Sequence, residues 1–135
     1  MKARMFILAA LIAALLVSGF SHAAFAKGNS GGGTKVRITL NGAGTYANAK
    51  GKATYKVNGS EREFQVEVEN IKRLAGKAVS IFVNGNPIGT ATVDSLGAAR
   101  LNRNSNLGQT VPNIKAGDKV QVKTANGVLI VSGSF

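Results

Sequence analysis

Any chemistry in this chain has to come from carboxylates, hydroxyls and amines, because its 135 residues contain no cysteine, no tryptophan and one histidine. That histidine, His22, falls in a segment that reads as an export signal. The chain that follows therefore lacks the usual imidazole base, the thiol nucleophile and the commonest metal ligands. Acid–base or glycosidase chemistry needs two suitably placed carboxylates. Four of the six acidic residues, Glu61, Glu63, Glu67 and Glu69, lie on or beside one alternating stretch, where Glu63, Glu67 and Glu69 share a face with Gln65. If the turn near Asn58 closes a hairpin, Lys56, Lys52 and Lys50 stand opposite those glutamates. Each such cross-strand pair contributes roughly 0.2–1 kcal/mol, and a paired, solvated ladder accounts for both charge sets without catalysis.

The remaining candidates for chemistry are weaker. Asp94 in Asp94-Ser95-Leu96-Gly97 and Asp118 in Ala116-Gly117-Asp118 have the context of turn residues. Neither has a second carboxylate near it in sequence, so neither is expected to hold calcium. A Ser–Lys nucleophile needs a desolvated lysine, and no lysine sits within an apolar run. Gly31-Gly32-Gly33 precedes a strand rather than a helix, which is not a phosphate-loop arrangement. The expectation is a protein that is not an enzyme, with no catalytic residue, no metal and no cofactor.

Residues 1–26 have the three parts of a secretory signal peptide. Lys2 and Arg4 supply the charge, an apolar run spans 6–17, and Ala24-Phe25-Ala26 is a small-x-small cleavage site. A membrane-spanning helix wants about 20 apolar residues, and this run gives way to Ser18-Gly19. Cleavage leaves 109 residues, the size of one small domain, bound for the periplasm or the exterior, with no membrane span. Disulfides are open to an exported domain, but this one has no cysteine, so its fold rests on core packing and strand pairing.

From residue 35 the pattern alternates with period two, after a Gly/Ser-rich leader over 27–34. Val36, Ile38 and Leu40 alternate with Lys35, Arg37 and Thr39; Ala53, Tyr55 and Val57 with Lys52, Thr54 and Lys56; and Phe64, Val66 and Val68 with the glutamates. Further runs centre on Ile81, on 88–93, on 98–102, on 119–123 and on 128–134, with Asn-Gly at 41–42, 58–59, 84–85 and 126–127 near the turns. Asn and Gly tolerate the positive φ that tight hairpins require. About eight short strands without a helical stripe predict an all-β domain over 35–135, an antiparallel Greek-key-type β-sandwich of immunoglobulin-like kind. The strands are shorter than the 9–11 residues of a membrane barrel, and the early ones carry charge on one face.

The same alternation marks two surfaces. After cleavage 15 basic residues face 6 acidic ones, a net charge of +9, which attracts polyanions. Beyond Asn70 the basic excess is largest, and Lys72, Arg73, Arg100 and Arg103 are the first candidates for binding an anionic ligand. Nucleic-acid readers add aromatic stacking platforms, and too few aromatics remain here for sequence-specific recognition. The second surface is apolar. If Val79, Ile81 and Val83 face the core, Phe82 faces out; if Val128 and Ile130 face in, Leu129 and Val131 face out. Phe82, Leu129 and Val131 are thus a candidate self-association patch. Val111 and Ile114, in the long connection over 102–118, are expected to tuck beneath it.

The succession Gly51-x-Ala53-x-Tyr55, Phe64-x-Val66-x-Val68, Val83-Asn84-Gly85, Gly97-Ala98-Ala99 and Val111-Pro112-Asn113-Ile114-Lys115-Ala116-Gly117-Asp118 resembles small exported bacterial β-sandwich proteins. It is similar to the chordin-like (CHRD) domain group. The resemblance implies the sandwich fold; the chain lacks the histidine-containing segment associated with that group, so no metal or binding role follows from it. The sequence therefore leads to a non-enzymatic exported binding or adhesion module of the cell envelope or extracellular matrix, engaging an anionic polysaccharide or other polyanion through a basic face. The alternative is a self-associating structural protein of the same compartment, or one serving a larger envelope partner.

Overall fold

A computed structural model describes residues 33–135; the expected export signal and leader residues 27–32 lie outside them. Each alternating run becomes a strand: β1 (Gly33–Gly42), β2 (Lys50–Asn58), β3 (Glu61–Glu69), β4 (Ala78–Val83), β5 (Asn86–Thr92), β6 (Ala99–Asn104), β7 (Lys119–Thr124) and β8 (Leu129–Ser134). Strand begins at Gly33, two residues earlier than the sequence predicts, because Gly33 and Thr34 pair with Asn58 and Val57 of β2. Helix among the described residues is limited to single 3-10 turns at Gly44–Tyr46, Lys72–Leu74 and Ser105–Leu107.

Hydrogen bonding runs through all eight strands in one antiparallel sheet, in the order β5-β4-β7-β8-β1-β2-β3-β6, rather than dividing them into two sheets. The edge strands β5 and β6 are consecutive in the chain and approach each other, so the sheet rolls into a nearly closed barrel. The seam between them has no backbone ladder. It is crossed at the turn by the Asp94 N–H donating to the Ala98 carbonyl at 2.8 Å. Further along, Arg103 Nη2 donates to the Ile88 carbonyl at 3.0 Å. Two features of β5 explain the missing ladder. Pro87 has no N–H to offer, and the register against β4 shifts between Ile81 and Phe82, which twists the strand.

The barrel interior is the apolar half of each alternation. Phe64, Leu40, Ile71, Ile81 and Ile130 are the largest of its fully buried side chains, and burying each is worth about 1.5–3 kcal/mol. Leu40 fits between two glycines on the neighbouring strands, Gly51 of β2 and Gly133 of β8. A Cβ at Gly51 would stand 2.7 Å from the Glu67 carbonyl oxygen, and one at Gly133 2.5 Å from that of Thr39. The absence of side chains there lets the sheet curve tightly around the leucine.

The long connection is also part of the core. Val111 and Ile114 are both buried in the main cluster. Asp118 anchors the end of that connection, its carboxylate accepting from Asn84 Nδ2 at 2.9 Å and from the Lys115 N–H at 2.8 Å. Asn84 completes the link by accepting the Lys119 N–H at 2.9 Å. Burial opposes ionisation of Asp118, but the Asn84 amide and the Lys115 N–H more than offset it and hold the carboxyl below its ordinary value.

One expected facing is corrected here. Val131 does not point outward; it is fully buried, as is its neighbour Ile130. The register between β7 and β8 shifts at Val122/Lys123, and Val131 pairs with the inward Val122. Alternation cannot survive such a bulge, so two successive residues turn inward. Val128, expected to face in, is instead among the exposed large apolar residues.

Candidate functional site

The outer face of β1, β2, β3 and β6 is built from cross-strand rows set by register. Lys35, Lys56, Glu63 and Asn104 form one row, and Thr39, Lys52, Glu67 and Arg100 another. Between them lie Arg37, Thr54, Gln65 and Asn102, and beyond them Asn41, Lys50 and Glu69. The lysines of β2 stand opposite the glutamates of β3, as the hairpin at Asn58 requires. Register alone does not decide which cation each acid takes.

Two ion pairs form among the described residues. Lys56 Nζ meets Glu63 Oε1 at 2.7 Å, and Arg100 Nη2 meets Glu67 Oε2 at 2.6 Å. The asparagines of β6 also turn toward β3, Asn102 donating to Glu63 Oε2 at 3.1 Å and Asn104 to Glu61 Oε2 at 3.0 Å. The Lys56 hydrogen bond holds the Glu63 carboxyl below its ordinary value against the opposing effect of burial, with help from Asn102. The acids of β3 are thus drawn largely toward β6. Lys35, Arg37, Lys50 and Lys52 remain without an ion pair among the described residues, exposed on β1 and β2, which pair with each other along their length. Arg37 Nε donates to Thr54 Oγ1 at 3.4 Å. A cleft of about 90 Å³ lies between Arg37, Lys52, Thr54, Gln65 and Glu67. Cations on such a surface repeat at about 7 Å along a strand and about 5 Å between strands, a fixed array suited to several anionic groups of one chain.

The four basic residues singled out from the sequence are not one face. Lys72 and Arg73 sit on the exposed 3-10 turn after β3, where the Arg73 guanidinium lies 5.6 Å from the Tyr46 ring centroid. Arg100 is on the outer face, paired with Glu67. Arg103, three residues further along the same strand, points the other way, sharing the inner row with Phe64. The cations of β1 and β2 were the missed signal. The parity of Val36, Ile38 and Leu40 places Lys35 and Arg37 outside, and only the assumption that every lysine of β2 finds a glutamate concealed the rest.

The apolar patch is likewise dispersed. Phe82 and Leu129 are half-buried, the Phe82 ring lying beneath the Lys123 ammonium at 5.1 Å, while Val131 is inside. Among the described residues the large exposed apolar side chains are Leu96, Leu107 and Val128, which sit apart in sequence at three different turns.

A cavity of about 650 Å³ opens beside the turn that joins β5 to β6 and includes Glu67, Glu69, Asp94 and Arg100 in its lining. Its carboxylates are partly committed. Glu67 holds Arg100, and Asp94 Oδ1 accepts the N–H groups of Leu96 and Ala98 at 2.9 and 3.0 Å. No three His, Cys, Asp or Glu side chains gather as a metal site among the described residues. No protein-family model matches the chain, and no curated protein does.

Proposed function

We propose that this is an exported, non-enzymatic binding module that holds an anionic polymer against the outer face of β1 and β2. In this reading residues 1–26 direct export and are removed. The rolled sheet works as two facing halves, β5-β4-β7-β8 and β1-β2-β3-β6, in the manner of a Greek-key sandwich. The short register between β1 and β8, Asn41 with Ser132 and Gly42 with Val131, supports that division. The observation that carries the proposal is the set Lys35, Arg37, Lys50 and Lys52, four cations without an ion pair on paired strands. An exposed ion pair is worth about 0–1 kcal/mol, so such an array gains useful affinity only from a ligand that presents many charges at once. A polyuronate or another acidic polysaccharide has that form.

The test is binding of residues 27–135 to polygalacturonate, DNA and lipopolysaccharide, each titrated against salt. Arg37→Glu together with Lys52→Glu should weaken binding to the preferred polymer about tenfold or more and flatten the salt dependence. Lys72→Glu with Arg73→Glu should have a much smaller effect. Equal losses from both double variants would reduce the interaction to net charge. Absence of binding at low salt would remove the proposal and favour a self-associating structural protein, for which gel filtration over a range of concentrations is the measurement.

A further inference from the structure

Arg103 is the least expected side chain in the barrel. It stands on the inner row of β6 beside Phe64, half-buried, and belongs to neither ion pair of the described residues. One of its N–H groups is satisfied, by the Ile88 carbonyl across the seam. Its Nε is buried without a hydrogen-bond partner. A guanidinium in this setting loses hydration without gaining a counter-charge, and a buried donor left without a partner destabilises the fold. The surroundings nevertheless make room for it. A Cβ at Gly89 would lie 2.7 Å from Arg103 Nη2 and 3.2 Å from Leu101 Cδ1, so the position facing the guanidinium carries no side chain.

Beside this arginine is a cavity of about 340 Å³ lined by Pro87, Ile88, Arg103, Thr110 and Pro112. Its size falls at the small end of ligand pockets, which run about 300–1,000 Å³. The wall is mostly aliphatic, with one hydroxyl and one cation. An arginine offers a carboxylate two parallel N–H groups, the geometry in which the pair is strongest. The aliphatic wall favours a ligand with an apolar body over a bare, strongly hydrated ion.

We propose that the cavity at the β5–β6 seam binds a small carboxylate on an apolar body, with Arg103 as its anchor and Pro87, Ile88 and Pro112 against the body. The site is on the opposite face of β6 from Arg100 and takes nothing from the cations of β1 and β2, so it stands or falls separately from polymer binding. Hexanoate is the probe, with hexan-1-ol as its uncharged counterpart and inorganic phosphate as an oxyanion without an apolar body. Residues 27–135, which contain the whole described barrel, should bind hexanoate saturably. The proton–nitrogen signal of the Arg103 Nε–H should move with occupancy. Hexan-1-ol and phosphate should each bind about tenfold more weakly or worse, and Arg103→Met or Gly89→Ala should weaken hexanoate by a similar factor.

Hexan-1-ol binding as well as hexanoate would make the cavity merely apolar, and phosphate binding better would remove the carboxylate assignment. Hexanoate binding unchanged in Arg103→Met would overturn the proposal outright. Should the variants not fold, the unaltered protein still decides. An Arg103 signal that stays in place at saturating hexanoate, or an absence of saturation, refutes the site.

Discussion

Among the described residues Asp118 and Thr54 are the two buried polar ones, and each Asp118 carboxylate oxygen accepts a hydrogen bond, from Asn84 and from the Lys115 N–H. Its pKa lies below the ordinary carboxylate value, so the folded state favours the ionised form more than the unfolded state does. The stability this contributes is complete above the unfolded pKa, near 4, and is lost as pH falls through the lower folded value. Asp118→Ala should therefore cost about 2–3 kcal/mol at pH 7 in a denaturant titration. The gap to the unaltered protein should narrow at pH 3 and below. Asp118 reads from the sequence as a turn residue, which its place at the end of the long connection bears out; its bond to Asn84, 34 positions away, was not legible because no local pattern encodes a contact of that range. Arg103 is a different case. Ala99, Leu101 and Arg103 have one parity, and that alone places the arginine inside. Grouping it with Arg100 by charge ignored the period of the strand.

At the scale of elements, eight strands and their approximate bounds follow from alternation and turn chemistry. Asn84-Gly85 is an instance, with φ of +51° and +84° at its two positions, as a tight two-residue hairpin turn demands. Strand order is another matter, because pairing between β3 and β6 or between β8 and β1 depends on packing across the whole chain. The bulge in β7–β8 could not be read either, and it reversed the expected facing of Val131. Curvature is the element-scale property most open to test. Gly51→Ala places a methyl group against the Glu67 carbonyl and Leu40. Thermal or denaturant unfolding should register a loss of about 1–3 kcal/mol, as for other overpacked sites. A change within experimental error would mean that β2 and β3 can separate locally without disturbing the barrel.

Taken as a whole molecule, the sheet joins its first described strand to its last. β8 pairs with both β7 and β1, and so joins β5-β4-β7 to β1-β2-β3-β6 within the sheet. Removing residues 129–135 takes Ile130 and Val131 from the core and leaves two strands with exposed edges. The shortened chain is expected to lose its folded spectrum in amide-dispersion or near-ultraviolet measurements; a native-like spectrum would show that β8 is not needed for the remaining strands to fold. The charge arrangement belongs to this scale too, since Lys52 is left without an ion pair where Arg100 of β6 takes the Glu67 that stands opposite it.

The adjacency of β1 and β8 also bears on the export proposed above for this chain. A polypeptide threaded N-terminus first through a translocation pore delivers β1, β2 and β3 early, and these can zip into a meander at once. The edge of β1 must wait for residues 129–135 to clear the channel before the barrel can close. A product that lacks β8 keeps open edges that a protease can grip, so closure itself separates finished molecules from unfinished ones.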